Sequence, residues 1–532
     1  MNLRSYTEKA AAYAPGLFLV LATALGGLRS PLLWIVFGAV FLTWCLETGR
    51  RLGAAGREYG LLFFCWLAAA ALFSSDAAFS LSVLARYAVF AALFFSAARG
   101  EEEGWTAAVL GLGLAASLVF VLQKAAGLSV QGFIGANPNY SAAFAAAAFP
   151  VALLRAADAA GRRRAVPVLA CVLLAAGLVV SGSRGALAAA FLSAAAGLAV
   201  SGRRRALAAF LLAAAAAAAL LPLSSIEGLL KFYDPKAFVR PRIWGAALKA
   251  AWAEPMLGWG PGLFERVFEL FKFPYFDGVS FYGHNTLHAH SEVLNLAAEA
   301  GFPAALLFLA AAAAGILRGG KASLPLKLCA LAVFLQGGVD IVFYSGAVSL
   351  LFWGTLGMIS AGEPARPGGS WKLRALLAAG CMAGLIAGAA LYAAPGLTKK
   401  VRGPYPEAGV ARYELEALQK PKDPFPPAIA GDILYEAGDL RGAEAAYGRA
   451  LALEPFFAGV RLDLARVYAA SGRRDAACAQ AAMAGKAAGM KTADDYETML
   501  VWLDRAGLEK FKKDLCGKKK AGGATARGRK TR

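Results

Sequence analysis

The sequence predicts an all-α membrane protein whose membrane domain is followed by a separate helical domain and a basic tail. Three observations support this fold class. Hydrophobic residues make up 58% of the 532 residues and charged residues only 17%. The mean hydropathy of +0.54 lies outside the range of ordinary soluble domains. Apolar segments recur through residues 1–394, and beyond them the composition changes to a mixture of charged and small residues.

Apolar segments of spanning length predict about twelve or thirteen transmembrane helices, since a helix needs about 17–25 residues to cross a hydrocarbon core. The candidates are 13–29, 31–46, 60–75, 78–98, 105–122, 140–157, 165–182, 185–201, 206–222, 293–316, 325–343, 346–361 and 373–394. We interpret the first as a retained span rather than a cleaved signal peptide. The reason is that a second span follows almost at once, with no clear cleavage site between them.

The distribution of lysine and arginine predicts the orientation, because positively charged short loops stay in the cytoplasm. With the N-terminus inside, nearly every basic cluster falls on the cytoplasmic side: Arg50, Arg51, Arg57, Arg99, Arg162–Arg164, Arg203–Arg205, Arg318, Lys321, Arg366, Lys372 and Arg374. The same count places the loop 123–139, the turn 181–185 and the long segment 223–292 on the outer face. Thirteen spans also place the C-terminal region outside, whereas twelve or fourteen would keep it inside.

The region after the last span has a 34-residue period. In "GDLRGAEAAYGRALALEP", residues Ala443, Tyr447, Ala450 and Pro455 have the spacing of a tetratricopeptide repeat. The next period supplies Gly472, Ala477, Ala481 and Ala484. We therefore predict a repeat-like helical domain over 395–516 with terminal capping helices, and a generic alanine-rich hairpin is the alternative.

Residues 517–532 form a predicted disordered, cationic tail that contributes to the net charge of +20. Contact with anionic lipid or glycan is favoured for this tail over a nucleic-acid role. Cys478 and Cys516 would lie in the external region, where an oxidising compartment permits a disulfide. Their separation in the sequence leaves the pairing open.

All three histidines lie within seven positions, where the polar and aromatic segment 223–292 gives way to an apolar helix beginning near Glu292. One interpretation of His284, His288 and His290 is a zinc site completed by Glu292, but neither a cysteine pair nor a second acidic cluster accompanies them. A second is structural, with the histidines capping the helix or bonding loop carbonyls. The third is that one of them is a general base, since imidazole is the usual choice near neutral pH.

The stretch "HSEVLNLAAEAG" resembles the signature of the O-antigen ligase and polymerase superfamily, with His290 followed by Leu294, Glu299 and Gly301. Ser291 stands where the family usually has asparagine. Other segments resemble further family motifs, in the family's order and over roughly residues 60–360: "GANPN" at 135–139, "SGSRGA" at 181–186, and the segment that contains Arg242, Trp244, Pro255, Gly258, Gly260 and Phe264.

The resemblance implies a helical glycosyltransferase of the GT-C class in the bacterial inner membrane, acting at the periplasmic face. It implies a glycan on undecaprenyl diphosphate as donor, and no metal or other cofactor. His290 is then the candidate base, and Arg184 and Arg242 are candidates to grip the diphosphate, because guanidinium groups bind phosphate oxygens in pairs. Further candidates are Arg86, an intramembrane charge, with Lys124, Asn139, His284, His288, Glu299 and Asp340. Asp340 could orient either an arginine or the histidine, and we expect Glu299 to support the fold.

The acceptor decides the reaction within this superfamily. Lipid A core would make the protein an O-antigen ligase of lipopolysaccharide biosynthesis, which is our prediction. A growing glycan would make it a polysaccharide polymerase, and a protein hydroxyl an O-oligosaccharyltransferase. The external repeat domain favours a macromolecular acceptor or a protein partner. From another class, a transporter should show paired repeats of broken spans, and a repeat scaffold would have no use for His290, Arg184 and Arg242.

Overall fold

Regular structure in the described parts of the chain is entirely helical, which confirms the all-α fold class. The computed structural model describes residues 3–47, 57–97, 101–135, 137–220, 239–317, 324–360, 371–393 and 409–517. Several predicted features lie outside these residues. They are the basic residues Arg50, Arg51, Arg99, Arg318, Lys321 and Arg366, the beginning of the outer segment, 223–238, the start of the C-terminal domain, 395–408, and the basic tail from 518 onward.

The described helices before residue 400 follow the predicted apolar segments, except for two that lie within the polar segment 223–292. They are α1 (Leu3–Ala24), α2 (Pro31–Glu47), α3 (Glu58–Leu72), α4 (Ala77–Ser96), α5 (Glu102–Ala125), α6 (Pro138–Asp158), α7 (Ala165–Ser181), α8 (Arg184–Val200), α9 (Arg204–Leu220), α10 (Arg240–Ala253), α11 (Phe264–Phe271), α12 (Glu292–Leu317), α13 (Leu324–Gly337), α14 (Gly346–Ser360) and α15 (Trp371–Ala393). Five candidate spans are long and apolar enough to cross a membrane: α4, α5, α6, α12, and α7 with the short turn before it. Seven further apolar helices are shorter, and together these helices are consistent with a polytopic membrane protein.

Two predicted spans end earlier than hydropathy indicated. The segment 325–343 is helical only to Gly337, where a Cβ atom would lie 2.2 Å from the Phe343 ring. Asp340 therefore lies in a turn rather than in a helix. The segment 13–29 is helical only to Ala24, because Gly26 and Gly27 have positive φ angles of 64° and 72°.

The chain divides into two compact units. The first comprises Met1–Phe264 and Leu287–Lys400, and we call it the membrane unit. The second comprises Glu265–Thr286 and Val401–Arg532, and we call it the C-terminal unit. Part of the polar segment before the histidines thus groups with the C-terminal helices. The chain leaves the membrane unit after Phe264 and returns to it at Leu287.

Two helical hairpins form the centre of the C-terminal unit. Its helices are α16 (Val410–Gln419), α17 (Phe425–Glu436), α18 (Leu440–Leu453), α19 (Ala458–Ala470), α20 (Arg474–Ala487), α21 (Asp495–Val501) and α22 (Arg505–Phe511). The α17–α18 and α19–α20 turns each contain a glycine with positive φ, Gly438 and Gly472, at the predicted 34-residue spacing. Ala443 and Ala477, also one period apart, are both fully buried. Membership of the tetratricopeptide class stays a prediction.

A disulfide joins Cys478 to Cys516, the pairing that the sequence left open. Cys478 lies on α20, and Cys516 lies in the short helical turn that follows α22. The bond therefore ties the last described helical turn of the chain to the second hairpin.

Helix α12 is interrupted at Gly301, whose φ and ψ angles are 81° and 169°. The break leaves three carbonyl groups and one N–H group without partners inside the helix, a costly arrangement for a membrane span. The loop 255–262 and a tryptophan of α3 supply the missing partners. The bonds run from Trp259 N to Ala298 O (3.1 Å), Gly260 N to Glu299 O (2.7 Å), Trp66 Nε1 to Ala300 O (3.0 Å) and Phe302 N to Pro255 O (2.9 Å).

The glycines of this loop and of the break are required by close backbone approach. A Cβ atom on Gly258 would lie 2.4 Å from the carbonyl carbon of Glu299, and one on Gly301 would lie 2.0 Å from Met256 O. The Glu299 carboxylate accepts a hydrogen bond from Phe264 N at 3.0 Å. Glu299 and Gly301 therefore form the part of α12 against which the loop 255–262 docks. This docking explains why they follow His290 at a fixed spacing.

We predict that Gly301→Ala destabilises the protein by about 2 kcal/mol or more, because it combines an unfavourable φ angle with a backbone clash. The measurement is the thermal midpoint of the detergent-solubilised protein, followed by size-exclusion chromatography. Gly111→Ala is the matched control, since nothing lies within 4 Å of a Cβ there and the φ angle is ordinary. An equal midpoint for the two variants would contradict the docking role of the break.

Candidate active site

The histidine segment is fixed at the start of α12. Ala289 N donates to Asn295 Oδ1 at 3.2 Å, and Trp244 Nε1 of α10 donates to the carbonyl of His290 at 3.3 Å. His290 has a φ angle of 54°, which is uncommon for a residue with a side chain. Strained backbone of this kind clusters at functional sites, where surrounding contacts hold it. Helices α10 and α12 thus hold the candidate base between them.

Asp340 lies next to an arginine and next to His290, the two kinds of side chain that the sequence analysis expected it to orient. Its carboxylate is 2% exposed, and its Oδ1 lies 3.6 Å from Arg240 Nη2 and 4.0 Å from His290 Nδ1. Arg240 Nη1 also donates to Val339 O at 2.7 Å, which holds the guanidinium at the turn after α13. The 4.0 Å distance exceeds that of a hydrogen bond, so Asp340 acts on the imidazole through its charge.

Burial keeps all three imidazoles neutral at pH 7. It lowers the pKa of His290 below 6.5, and the positive charge of Arg240 lowers it further, while Asp340 opposes the shift. The pKa of His288 falls to about 4 through burial and the neighbouring His290. The pKa of His284 also falls to about 4, through burial and Lys272. A neutral imidazole is the form that accepts a proton.

Arg184 is the first residue of α8, and the N-terminus of this helix lies beside Asp340. Ser183 caps the helix by accepting from Ala186 N at 3.4 Å, and Gly182 turns the chain with a φ angle of 65°. A Cβ atom on Gly185 would lie 3.4–3.7 Å from Val339, Gln336 and Asp340 Oδ2. The "SGSRG" turn therefore brings the N-terminus of α8 to Asp340.

The N-terminus of α6 is linked to the N-terminus of α8 by Gln336, which contacts both. Asn137 caps α6 by accepting from Asn139 N at 3.0 Å, and Gln336 Nε2 donates to Asn139 O at 3.1 Å. Gln336 is fully buried and also faces Gly185 of α8. Each helix N-terminus carries roughly half a positive charge, so two of them near Arg184 favour an anion.

Aromatic and cationic groups surround Tyr344 in the same unit. The His288 ring lies 4.4 Å from the Tyr344 ring, and the Arg29 guanidinium lies 5.9 Å from it. Arg86 is within electrostatic range of the Tyr344 hydroxyl. A Cβ atom on Gly135 would lie 1.9 Å from Arg29 Nη1. The glycine of "GANPN" thus makes room for an arginine from the turn between α1 and α2.

Four of the candidates occupy other positions. Lys124 is exposed at the end of α5, and Arg242 is exposed on α10. His284 belongs to the C-terminal unit, where the rings of Phe268, Phe273 and Tyr275 lie 5.0–6.2 Å from its ring. Glu299 is buried at the break of α12.

Sequence reasoning missed Arg29, Arg240, Gln336 and Tyr344. A signal for Arg240 was present, because Pro241 is typical of the first helical turn and Trp244 follows Arg240 by four positions. Residues at that spacing share a helix face, whereas Arg242 lies on another. Among the described residues, no group of three or more His, Cys, Asp or Glu side chains is arranged to hold a metal ion.

Residues 169–309 match a protein-family model described as O-antigen ligase. The matched region contains α8, α10, the broken part of α12 and all three histidines. It supports the O-antigen ligase superfamily, and with it a ligase-type or polymerase-type membrane enzyme that uses a lipid-linked glycan donor and a glycan acceptor. A comparison with curated proteins finds no match.

We predict opposite shifts in the titration of His290 when its two charged neighbours are neutralised. Arg240→Gln removes a positive charge and raises the pKa of His290, and Asp340→Asn removes a negative charge and lowers it. The measurement is the pH dependence of carbethoxylation at His290, quantified by mass spectrometry, because only the neutral imidazole reacts. His284 in the same samples is the control and should keep its midpoint. An unchanged or lowered midpoint for His290 in Arg240→Gln would contradict this electrostatic account.

Proposed function

We propose that this protein is a glycosyltransferase of the O-antigen ligase type. It transfers a glycan from undecaprenyl diphosphate to a hydroxyl of lipid A core at the periplasmic face of the inner membrane, without a metal. The observation that carries the proposal is the neutral His290 beside the buried Asp340, next to an arginine and two helix N-termini. The family match over residues 169–309, which include His290 and Arg184, supports the reaction class.

The donor diphosphate binds where positive charge converges. Arg184 and the N-termini of α6 and α8 form the centre of this site, and Arg240 extends it toward His290. Arg242 lies on another face of α10, and its part in donor binding stays a prediction. As the glycosidic bond breaks, negative charge grows on the departing diphosphate, and prepositioned cations and backbone N–H groups stabilise it.

His290 is the general base. Its Nδ1 faces Asp340, which leaves Nε2 to accept the proton of the acceptor hydroxyl. The freed oxygen forms a bond to the anomeric carbon, and the bond from that carbon to the phosphate oxygen breaks on the opposite side, so the configuration inverts. The diphosphate leaves with the electron pair, while Asp340 stabilises the positive imidazolium.

The disulfide supports the proposed side of the membrane. Disulfides persist in oxidising compartments such as the periplasm and are rare in the cytosol. The Cys478–Cys516 bond therefore favours an external C-terminal unit. The same placement follows from the thirteen-span interpretation, under which the histidine segment is also external.

Transfer in vitro tests the proposal. Purified protein receives a lipid-diphosphate-linked glycan and, in separate reactions, lipid A core, a glycan-lipid or an unfolded protein rich in serine and threonine. We predict transfer to lipid A core that falls by about 10²–10⁴-fold in His290→Ala, because the base is lost. Partial recovery with added imidazole would show that the missing function is proton transfer.

The other outcomes of this assay are equally informative. Product only with the glycan-lipid or the protein acceptor would replace the ligase by a polymerase or an O-oligosaccharyltransferase. Wild-type rates in His290→Ala would remove the histidine from the mechanism. Absence of transfer to every acceptor would favour a transporter or a repeat scaffold.

A further inference from the structure

The membrane unit contains a second pair of arginines near the histidine segment, apart from Arg184 and Arg240. Arg29, Arg86, Tyr140 and Tyr344 compose this group, which we call the tyrosine–arginine cluster. The Arg29 guanidinium lies 5.3 Å from the Tyr140 ring and 5.9 Å from the Tyr344 ring. Arg86 is within electrostatic range of the Tyr344 hydroxyl, and the His288 ring lies 4.4 Å from the Tyr344 ring. The cluster therefore adjoins the candidate active site within one unit.

The turn that carries Arg29 is held in place by other parts of the membrane unit. Ser345 Oγ, at the start of α14, donates to Gly27 O at 3.2 Å. A Cβ atom on Gly27 would lie 2.4 Å from Ile134 Cγ2, so the turn also packs closely against the loop before α6. Because Ser345 directly follows Tyr344, these contacts place Arg29 beside Tyr344.

Arg86 is a charged residue inside a candidate membrane span. It is the tenth residue of α4, so it lies about 14 Å along the helix from Ala77. In the part of the chain that the structure describes, Arg86 makes no hydrogen bond and no ion pair. The groups that influence its charge are the hydroxyls of Tyr344 and Tyr87, and no carboxylate is among them. Its side chain is half-buried.

An arginine in this environment requires an anionic partner. A charge within a membrane span is costly unless another group pairs with it, and such residues mark binding sites. Arg29 is in the same situation, since it too has neither a hydrogen bond nor an ion pair to any described residue. Guanidinium groups bind phosphate oxygens through pairs of N–H donors, and tyrosine hydroxyls add O–H donors. The tyrosine–arginine cluster thus has the chemistry of a phosphate site.

The position of the cluster favours the acceptor as the source of the phosphate. In the proposed reaction the donor diphosphate occupies Arg184 and the N-termini of α6 and α8. Tyr140, in the first turn of α6, is within electrostatic range of both Arg29 and Asp340, so the cluster lies next to that site without including it. A second anion beside the base then belongs to the molecule that the base deprotonates. Lipid A core, the predicted acceptor, is a phosphorylated glycolipid.

We propose that Arg29 and Arg86, with the hydroxyls of Tyr140 and Tyr344, bind a phosphate group of the acceptor. The acceptor is accordingly a phosphate-bearing lipid, and a protein hydroxyl without a nearby phosphate is a poor substrate. This inference rests on the proposed function, because assigning the phosphate to the acceptor presupposes that the donor diphosphate binds at Arg184.

The kinetic test compares Arg86→Gln and Arg29→Gln with Arg155→Gln in the full-length protein. Arg155 is an exposed arginine in the last turn of α6 and is the matched control. The acceptors are lipid A core and the same lipid after enzymatic removal of its phosphates. We predict that Arg86→Gln raises the KM for the phosphorylated acceptor about 10–100-fold, the usual effect of losing a hydrogen bond between charged groups.

Three further kinetic results are expected. The KM for the donor stays at the wild-type value in Arg86→Gln. The KM for the dephosphorylated acceptor is the same in the wild type and in Arg86→Gln, because no phosphate remains to be bound. Arg86→Lys recovers part of the loss, since lysine keeps the charge but cannot donate in pairs.

Two readouts that need no transfer accompany the kinetics. One is the binding of radiolabelled lipid A core to the protein in nanodiscs without donor, which we predict is weakened in Arg86→Gln and unchanged in Arg155→Gln. The other is the thermal midpoint of the ligand-free protein. Arg86→Gln should leave the midpoint unchanged or raise it, because it removes a charge that has no partner.

Four results would overturn parts of this account. Equal losses with the phosphorylated and dephosphorylated acceptors would exclude phosphate recognition. A raised KM for the donor with an unchanged KM for the acceptor would assign the cluster to the donor. A lowered midpoint with wild-type binding would make Arg86 a structural residue. If the wild-type protein transfers no glycan to any acceptor, the proposed function itself fails, and lipid binding alone then decides whether the cluster is a phosphate site.

Discussion

The interrupted turn of α12 is the constraint on which the candidate site depends. A break in an apolar helix exposes backbone carbonyls that must find donors, and the loop 255–262 supplies most of them. Because α10 runs directly into this loop, docking of the loop also places α10 against α12. Trp244 and Arg240 of α10 then reach the backbone of His290 and the carboxylate of Asp340. The glycines of the break and the loop thus determine the geometry around the candidate base.

The charged groups around His290 together determine its protonation state. Burial and Arg240 lower the pKa of His290, and Asp340 opposes that shift. A bound diphosphate adds negative charge near the imidazole, so we expect donor binding to raise the pKa of His290 and increase its basicity. The donor would thereby prepare the base that the acceptor needs. In the proposed mechanism, the buried Asp340 both positions Arg240 and stabilises the imidazolium.

Hydropathy and spacing predicted the helices well and the site only in part. Apolar segments and the start of α12 near Glu292 follow from composition, which the membrane constrains strongly. The paired glycines Gly337 and Gly338 end α13 before Asp340, and a hydropathy average does not register such a local stop. Arg240 was missed, because recognising that it faces Asp340 requires the phase of α10, and the role of Arg242 stays a prediction. Arg29 contacts Gly135 and Tyr344, which are far from it in the sequence, and no local pattern predicts such contacts.

The central claim is that a lipid diphosphate binds at the meeting point of α6 and α8 with its sugar facing His290. A cryo-electron microscopy structure of the protein in lipid nanodiscs, with an undecaprenyl diphosphate glycan bound, tests this claim most directly. The account predicts phosphate density at the N-termini of both helices, in contact with Arg184, and the anomeric carbon on the side of His290. Phosphate density away from both N-termini, or a sugar directed away from His290, would contradict it.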